Sequence, residues 1–361
     1  MTAAALSPAP PKLWRPKRVL VTPSALDWAH GRAMVERAER LGAEVVRLKA
    51  NRLTGLSGED ARRVYRDAKG TLAVVAAPPA KLRLQPIPPS ADWRVDLAEG
   101  CPAHCQYCYL AGSLAGPPVT RAYANLPEIL GALAAHAGRG AITSRSAARA
   151  HEGTTFEASC YTDPLGIEHL TGSLSATIRH FGAWDAAVQL RFTTKFDAVE
   201  PLLGLPHNRR TRIRVSVNAR PALRFEGGTA DLGARLHAMR LMALAGYRVG
   251  LTVAPIMPIE GWRDAYGALL DEAAAALGGA PDPDLTVELI THRFTPGSKE
   301  VLTGWYPGSD LDMDEARRAP KRTRFGSLKY VYTPDAMAEM RAFFEAEVPR
   351  RLPGGRILYW T

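Results

Sequence analysis

From residue 18 the chain opens with a short apolar run, Arg18-Val-Leu-Val-Thr22, then a stretch from about Ser24 to Leu41 with apolar positions at helical spacing, then a second run, Glu44-Val-Val-Arg-Leu48. Strand-like runs on either side of a helical period predict a βαβ-like opening. A further helical stretch, Ser57 to Asp67, leads into Thr71-Leu-Ala-Val-Val75. Five prolines follow between Pro78 and Pro89. Proline has no N–H and a fixed φ, so this segment is expected to be neither regular helix nor central strand. A domain boundary is therefore expected here, separating a small N-terminal α/β domain (17–92) from a larger one (93–361).

Beyond Trp93 the pattern repeats. Strand-like runs at Thr155–Ser159, Leu190–Thr194, Arg212–Val217, Val249–Ala254 and Leu285–Leu289 alternate with helical stretches, which predicts a parallel α/β architecture. Five or six such units are too few for an eightfold barrel, and no Gly-rich dinucleotide fingerprint follows an early strand. The expected fold is a partial (β/α)6 TIM-type barrel with a small N-terminal βαβ-like domain. Residues 132–153, rich in Ala, Gly, Ser and Arg, read as a flexible insertion. Near the end, Arg324-Phe-Gly-Ser-Leu-Lys-Tyr-Val-Tyr332 places a Gly-Ser pair between alternating runs and predicts a C-terminal β-hairpin.

With 361 residues, 46% apolar and 23% charged, the chain can bury a sizeable core. No apolar run approaches the 18 or so residues of a membrane span. Residues 1–16, Ala/Pro-rich with no cationic segment ahead of an apolar one, read as a disordered tail and not a signal peptide. A cytoplasmic protein without membrane association is expected. Lys and Arg outnumber Asp and Glu by 46 to 36, a net +10. The excess is locally concentrated: Arg317, Arg318, Lys321, Arg322, Arg324 and Lys329 put six cations and no acid into thirteen residues.

Cysteine changes the picture most. Three of the four fall in Cys101-Pro-Ala-His-Cys105-Gln-Tyr-Cys108-Tyr109-Leu110, and Cys160 stands apart. The spacing is not that of a disulfide framework. Three thiolates on one loop can hold three irons of a cubane cluster and leave the fourth open to another molecule. Zinc would need His104 or a distant residue to complete four ligands, and the x3 spacing fits zinc knuckles poorly.

The C-x3-C-x-aromatic-C arrangement, with Tyr107 as the aromatic, resembles the signature of the radical S-adenosylmethionine superfamily. The likeness narrows to the spore photoproduct lyase family through Phe156-Glu-Ala-Ser-Cys160, Asp163, Gly166-Ile-Glu-His-Leu170, Arg191-Phe-Thr-Thr-Lys195, Arg214-Val-Ser-Val-Asn218, Val253-Ala-Pro-Ile256, Glu260-Gly-Trp262, Glu288-Leu-Ile-Thr-His-Arg-Phe294 and Lys329-Tyr-Val-Tyr332. It runs from about Arg18 to the C-terminus and is weakest in the first 90 residues and in 132–153.

The resemblance implies a DNA-repair lyase that returns 5-thyminyl-5,6-dihydrothymine to two thymines through a 5'-deoxyadenosyl radical. It implies a [4Fe-4S] cluster on Cys101, Cys105 and Cys108, with S-adenosylmethionine as second cofactor. Cys160 would donate hydrogen to the product radical, although an isolated cysteine is by itself more often a buried core residue. Tyr109 and Tyr107 would relay hydrogen back to the cofactor. Lys195, Ser216 and Thr162 would contact S-adenosylmethionine, with Asn218 beside them; Asn218 also reads as a strand-end turn residue.

The family carries Ser-Asp where this chain has Thr162-Asp163, and a smaller residue at Tyr161, which alters the pocket. Arg324 and Lys329 would face the lesion, and Arg317, Arg318, Lys321 and Arg322 would bind the DNA backbone. His104 reads as a turn residue, and His169 and His292 as interior residues. UV-damaged DNA is the expected partner, with a flavodoxin or ferredoxin as electron donor. Two other readings remain: a related radical enzyme acting on another nucleic acid or a peptide, and a non-catalytic iron–sulfur nucleic-acid-binding protein.

Overall fold

The computed structural model describes residues 10–56, 58–113, 116–143, 145–322 and 326–361. Short apolar runs form strands β1 (Arg18–Val21), β2 (Glu44–Arg47) and β3 (Thr71–Val75). Then come β4 (Gln85–Ile87), β5 (Ala91–Val95), β6 (Ala98–Glu99), β7 (Thr120–Tyr123) and β8 (Thr154–Ala158). The second half supplies β9 (Val188–Thr194), β10 (Thr211–Val217), β11 (Arg248–Ile256) and β12 (Thr286–Thr291). The hairpin β13 (Ala319–Arg322) and β14 (Leu328–Val331) and a last strand, β15 (Arg356–Trp360), complete the set.

Two main sheets result. The smaller has the order β2-β1-β3-β7-β6, parallel except for β6. The larger runs β15-β12-β11-β10-β9-β8-β5-β4, with β4 antiparallel at one edge and the other seven parallel. Strands β8–β12 are the five runs expected of the partial barrel, β5 is a sixth that the sequence did not show, and β15 extends the sheet by one.

The larger sheet is apolar on one face only. Phe156, Leu190, Phe192, Ile213, Val215, Leu251, Val253, Val287 and Leu289 are buried in the same core as Ile178, Phe181, Met239, Leu269 and Phe344 of the flanking helices Ser173–Ala183, Leu232–Leu244, Trp262–Leu277 and Pro334–Arg351. Side chains alternate along a strand, and the intervening positions, Glu157, Arg191, Arg212, Arg214 and Glu288, fill the barrel interior with charge. They are buried as well.

The interior charges pair in a connected network. Arg191 donates to Glu288 Oε1 (2.6 Å) and Arg214 to Glu288 Oε2 (2.7 Å), while Arg214 also pairs with Glu157 and with Ser90 Oγ (2.6 Å). Arg212 pairs with Asp284 at 2.6 Å. Each pair offsets desolvation that a lone buried charge would not survive.

Three expectations change. The sheets divide the chain differently from a cut at 92/93: β4 and β5 belong to the barrel, whereas β6 and β7, further along, return to the small sheet. The prolines of 78–89 mark the crossing, not its end. Residues 132–153 are no free insertion, because the Asp92 carboxylate accepts from the backbone N–H of Ile142 (2.7 Å) and Thr143 (3.1 Å), and Arg149 donates to Pro89 O (2.8 Å). Of the tail, residues 1–9 lie outside the described residues, but Pro16 is buried and Trp14 packs on the small sheet's core and accepts from His169 Nε2 through its carbonyl (2.8 Å).

Candidate active site

The cysteine loop hangs between β6 and β7. Gly100 opens it at φ +75°, and a Cβ there would lie 2.2 Å from Val119 O, so both conformation and space require glycine. Two backbone bonds hold the loop's outer side, His104 N to Gly227 O (2.6 Å) and Gln106 N to Phe225 O (2.9 Å). Lys69, at the end of the helix Ala61–Lys69, is buried and donates to the carbonyls of Cys101 and Ala103. Tyr65, one turn earlier, bonds His104 Nδ1 at 3.0 Å. Burial, then the Lys69 charge, lowers the His104 ring to about 4, so it stands neutral as a loop-fixing residue.

Cys101, Cys105 and Cys108 are free and half-buried. Burial pushes the Cys101 thiol up to about 11 and Cys105 to about 12, so thiolates here call for the compensating positive charge of a metal centre. Among the described residues no three His, Cys, Asp or Glu side chains are arranged to share one ion. Three thiols on one loop instead meet the demand of a cubane, where each thiolate holds its own iron.

Cys105 and Cys108 line a cavity of about 470 Å³ at the end of the barrel where the parallel strands finish, together with Tyr107, Tyr109, Lys195, Ser216, Arg293 and Tyr359. Active sites of barrels concentrate at this end. Lys195 Nζ donates to Glu226 Oε1 (2.9 Å) and Ala254 O (3.1 Å). Glu226 also accepts from the Tyr107 hydroxyl, and its second oxygen accepts from Arg235 (2.5 Å). Burial would raise this carboxyl, but Lys195 and Arg235 hold it below the ordinary range and ionised. Asp163 accepts from Lys195 N (2.7 Å) and Thr194 Oγ1 (2.8 Å), and burial lifts it to about 6.

The chain matches the family model described as "Spore photoproduct lyase" over residues 14–361. A spore photoproduct lyase of Geobacillus sp. (strain Y412MC61) is 39% identical over 348 residues, 96% of this chain and 98% of the relative; that of Bacillus subtilis (strain 168) is 37% identical with the same coverage. A solved structure of a spore photoproduct lyase mutant "with bound AdoMet and dinucleoside spore photoproduct" superimposes with a TM-score of 0.88 at 38% identity, covering 97% of this chain and 100% of that one. This chain belongs to the spore photoproduct lyase family. As a member it is a radical S-adenosylmethionine lyase whose cofactors are a [4Fe-4S] cluster and S-adenosylmethionine, and the non-catalytic reading falls.

Cys160 follows β8 in a turn begun by Ser159, which holds a φ of +57°. Cys160 is half-buried, its Sγ 4.0 Å from Glu157 O. Burial first, and Glu157 second, push this thiol well above its usual range. Thr162 Oγ1 is buried and has no hydrogen-bond partner among the described residues. Neither residue is in the wall of the cavity. Tyr161 lies against Arg94, its ring 4.5 Å from the guanidinium and its hydroxyl accepting at 2.9 Å.

Asn218 is fully buried and committed: Nδ2 donates to Pro255 O (2.8 Å) while Oδ1 accepts from Tyr266 OH and Ala219 N, both at 2.9 Å. It shapes the turn beneath Ser216 and does not reach the cavity.

The lyase-family hairpin is rooted on the barrel by Tyr330, which stacks on Phe294 (5.4 Å) and bonds its carbonyl (2.8 Å). Lys321 and Lys329 are register partners; Lys321 and Arg322 are exposed and Lys329 half-buried. Arg324 lies outside the described residues.

Arg318 corrects an expectation: it is buried, 3.8 Å over the Tyr332 ring and bonded to Asp312 O (2.8 Å), so it braces the hairpin and is not presented to DNA. Arg317 pairs with Asp312 at 3.2 Å. His292, lowered to about 3 by burial and then by Arg318, is interior as expected.

Sequence reasoning missed Lys69, Glu226 and Arg235. Lys69 looked like any cation closing a helix. Glu226 did carry a signal, since it precedes Gly227-Gly228, and a Cβ at Gly227 would lie 3.0 Å from His104 Cβ.

Proposed function

We propose that this chain repairs 5-thyminyl-5,6-dihydrothymine in UV-damaged DNA by homolytic reversal of the methylene crosslink, with Cys160 as hydrogen donor. The observation that carries the reading is the meeting, in one cavity, of the cysteine loop, with its Tyr107 and Tyr109, and Lys195 and Ser216 of the barrel. When bound, the cluster and S-adenosylmethionine supply the 5'-deoxyadenosyl radical that takes a C6 hydrogen from the dihydrothymine. The methylene C–C bond of the lesion then breaks by β-scission and leaves an allylic thymine radical.

The chain's own groups do the rest. Cys101, Cys105 and Cys108 hold the cluster, and Lys195, Ser216 and Thr162 orient S-adenosylmethionine. Cys160 gives its S–H hydrogen atom to the allylic radical, and its raised pKa keeps that hydrogen in place at neutral pH. A phenol O–H hydrogen then restores the thiol. Tyr109, 48% exposed and in the cavity wall, is the accessible donor; the Tyr107 hydroxyl is held by Glu226. Lys321, Arg322, Lys329 and Arg324 bind the DNA, and a flavodoxin or ferredoxin supplies the electron in the cytoplasm.

The test is anaerobic. Reconstituted enzyme is given dithionite, S-adenosylmethionine and the synthetic dinucleotide lesion, and restored thymidylyl-thymidine is followed by chromatography. Clean repair by the parent and adduct-forming side products from Cys160→Ala are expected. Cleavage of S-adenosylmethionine without repair would sink the assignment.

A further inference from the structure

Most buried arginines among the described residues keep a carboxylate beside them. Arg191, Arg212, Arg214 and Arg235 each have one within 2.5 to 2.7 Å. Arg318, which is held by backbone carbonyls and the Tyr332 ring, does not, and neither does Arg293. Arg293 follows β12, lines the 470 Å³ cavity beside Tyr109, and is half-buried. Its only partners among the described residues are neutral: Nε donates to Thr291 O (3.3 Å) and one terminal nitrogen to Thr361 Oγ1 (2.5 Å). No carboxylate forms an ion pair with it among those residues.

A second cation stands close by. Lys329, on β14, is half-buried, also lacks an acidic partner among the described residues, and is lowered by burial and then by the Arg293 charge. Two half-buried cations with no carboxylate beside either raise each other's cost, and a bound anion would offset it. A guanidinium with one face of its fork free is suited to a tetrahedral dianion or diester, which it can grip through two N–H groups.

We propose that Arg293, with Lys329, binds the phosphodiester that links the two crosslinked thymidines, and so anchors the lesion at the cavity mouth. The assignment rests on the reading that the lesion is the substrate. It gives the chain an internal phosphate contact separate from the exposed cations of the hairpin. The cofactor's carboxylate is the other anion that could reach this wall, but Lys195 already stands deeper in the same cavity for it.

The experiment compares two forms of the lesion: the dinucleoside, which has no phosphate, and the dinucleotide, which has one. Affinities are measured by equilibrium binding to cluster-loaded enzyme with S-adenosylmethionine present, for the parent, Arg293→Met and Arg293→Lys. The parent should prefer the dinucleotide by about tenfold, the scale of one charge-assisted contact. Arg293→Met should bring that ratio close to one, and Arg293→Lys should retain part of it.

Equal affinities in the parent would overturn the assignment. So would an Arg293→Met enzyme that weakens on both lesions while keeping the ratio. Loss of S-adenosylmethionine affinity with the ratio intact would reassign Arg293 to the carboxylate. Failure of the parent to bind or repair either lesion would instead remove the substrate reading itself.

Discussion

The barrel interior and the β13–β14 hairpin are both rich in arginine and lysine, yet they use charge in opposite ways. Inside, Arg191 and Arg214 share Glu288, and Arg214 also holds Glu157, all withdrawn from water. On the hairpin, Lys321 and Arg322 are exposed and no carboxylate pairs with them among the described residues. Only the second kind attracts a polyanion. A net charge of +10 therefore says little about DNA until internally neutralised arginines are subtracted, and Arg318, inside the basic run, belongs to the subtracted group.

The contrast can be broken most sharply from the inside. Arg214→Met leaves Glu157 and Glu288 facing each other without their shared cation, and should cost about 3–5 kcal/mol in urea unfolding. Glu288 adds a pH signature. Burial opposes its charge, but Arg214 and Arg191 hold it below its ordinary 4.5. A carboxylate lowered in the fold contributes stability above the unfolded value and loses it as pH falls through the folded one. Glu288→Gln should thus be less stable at pH 7 and show a flatter acid limb below pH 4.5 than the parent.

Lys69→Met comes next. It removes the donor to the Cys101 and Ala103 carbonyls, and should lower iron content after reconstitution while lesion-DNA affinity holds. Both are measurable on one preparation.

On the hairpin, Lys321→Ala should leave the unfolding curve unmoved and weaken lesion-DNA binding, reducing the salt slope by about one. A fall in stability comparable to that of Arg214→Met would erase the distinction. The smallest effect belongs to Arg317→Ala: its pair with Asp312 is solvent-exposed, and the change should stay within about 0.5 kcal/mol.

The same contrast explains what the sequence disclosed. Strands β1, β3 and β9 to β12 were visible as apolar runs. Strand β5, Ala91-Asp-Trp-Arg-Val95, was not, because it turns Asp92 inward to anchor 142–143 and so breaks the apolar pattern expected of a parallel strand. The last strand, β15, was missed as well, although Ile357-Leu-Tyr-Trp360 is an apolar, β-favouring run.

In the site, three cysteines at fixed spacing spoke for themselves. Lys69 and Glu226 did not, since the carbonyls that Lys69 holds lie 32 and 34 residues away, Lys195 and Tyr107 lie 31 and 119 residues from Glu226, and a single charged residue carries no mark of a distant contact. Asn218 carried two readings, and its contacts fit the strand-end turn residue. A strand-end amide looks available until Pro255, Tyr266 and Ala219 are seen to occupy it.

The cysteine loop leaves the small sheet through β6 and rejoins it through β7, while its thiols serve a cavity built by the large one. It is a bridge with both abutments on the same bank. A fragment trimmed to the barrel strands would lose the three cysteines together with Tyr107 and Tyr109 of the cavity wall. On heating, loss of the cluster's colour should therefore follow the opening of the five-stranded sheet, whether or not the barrel has melted.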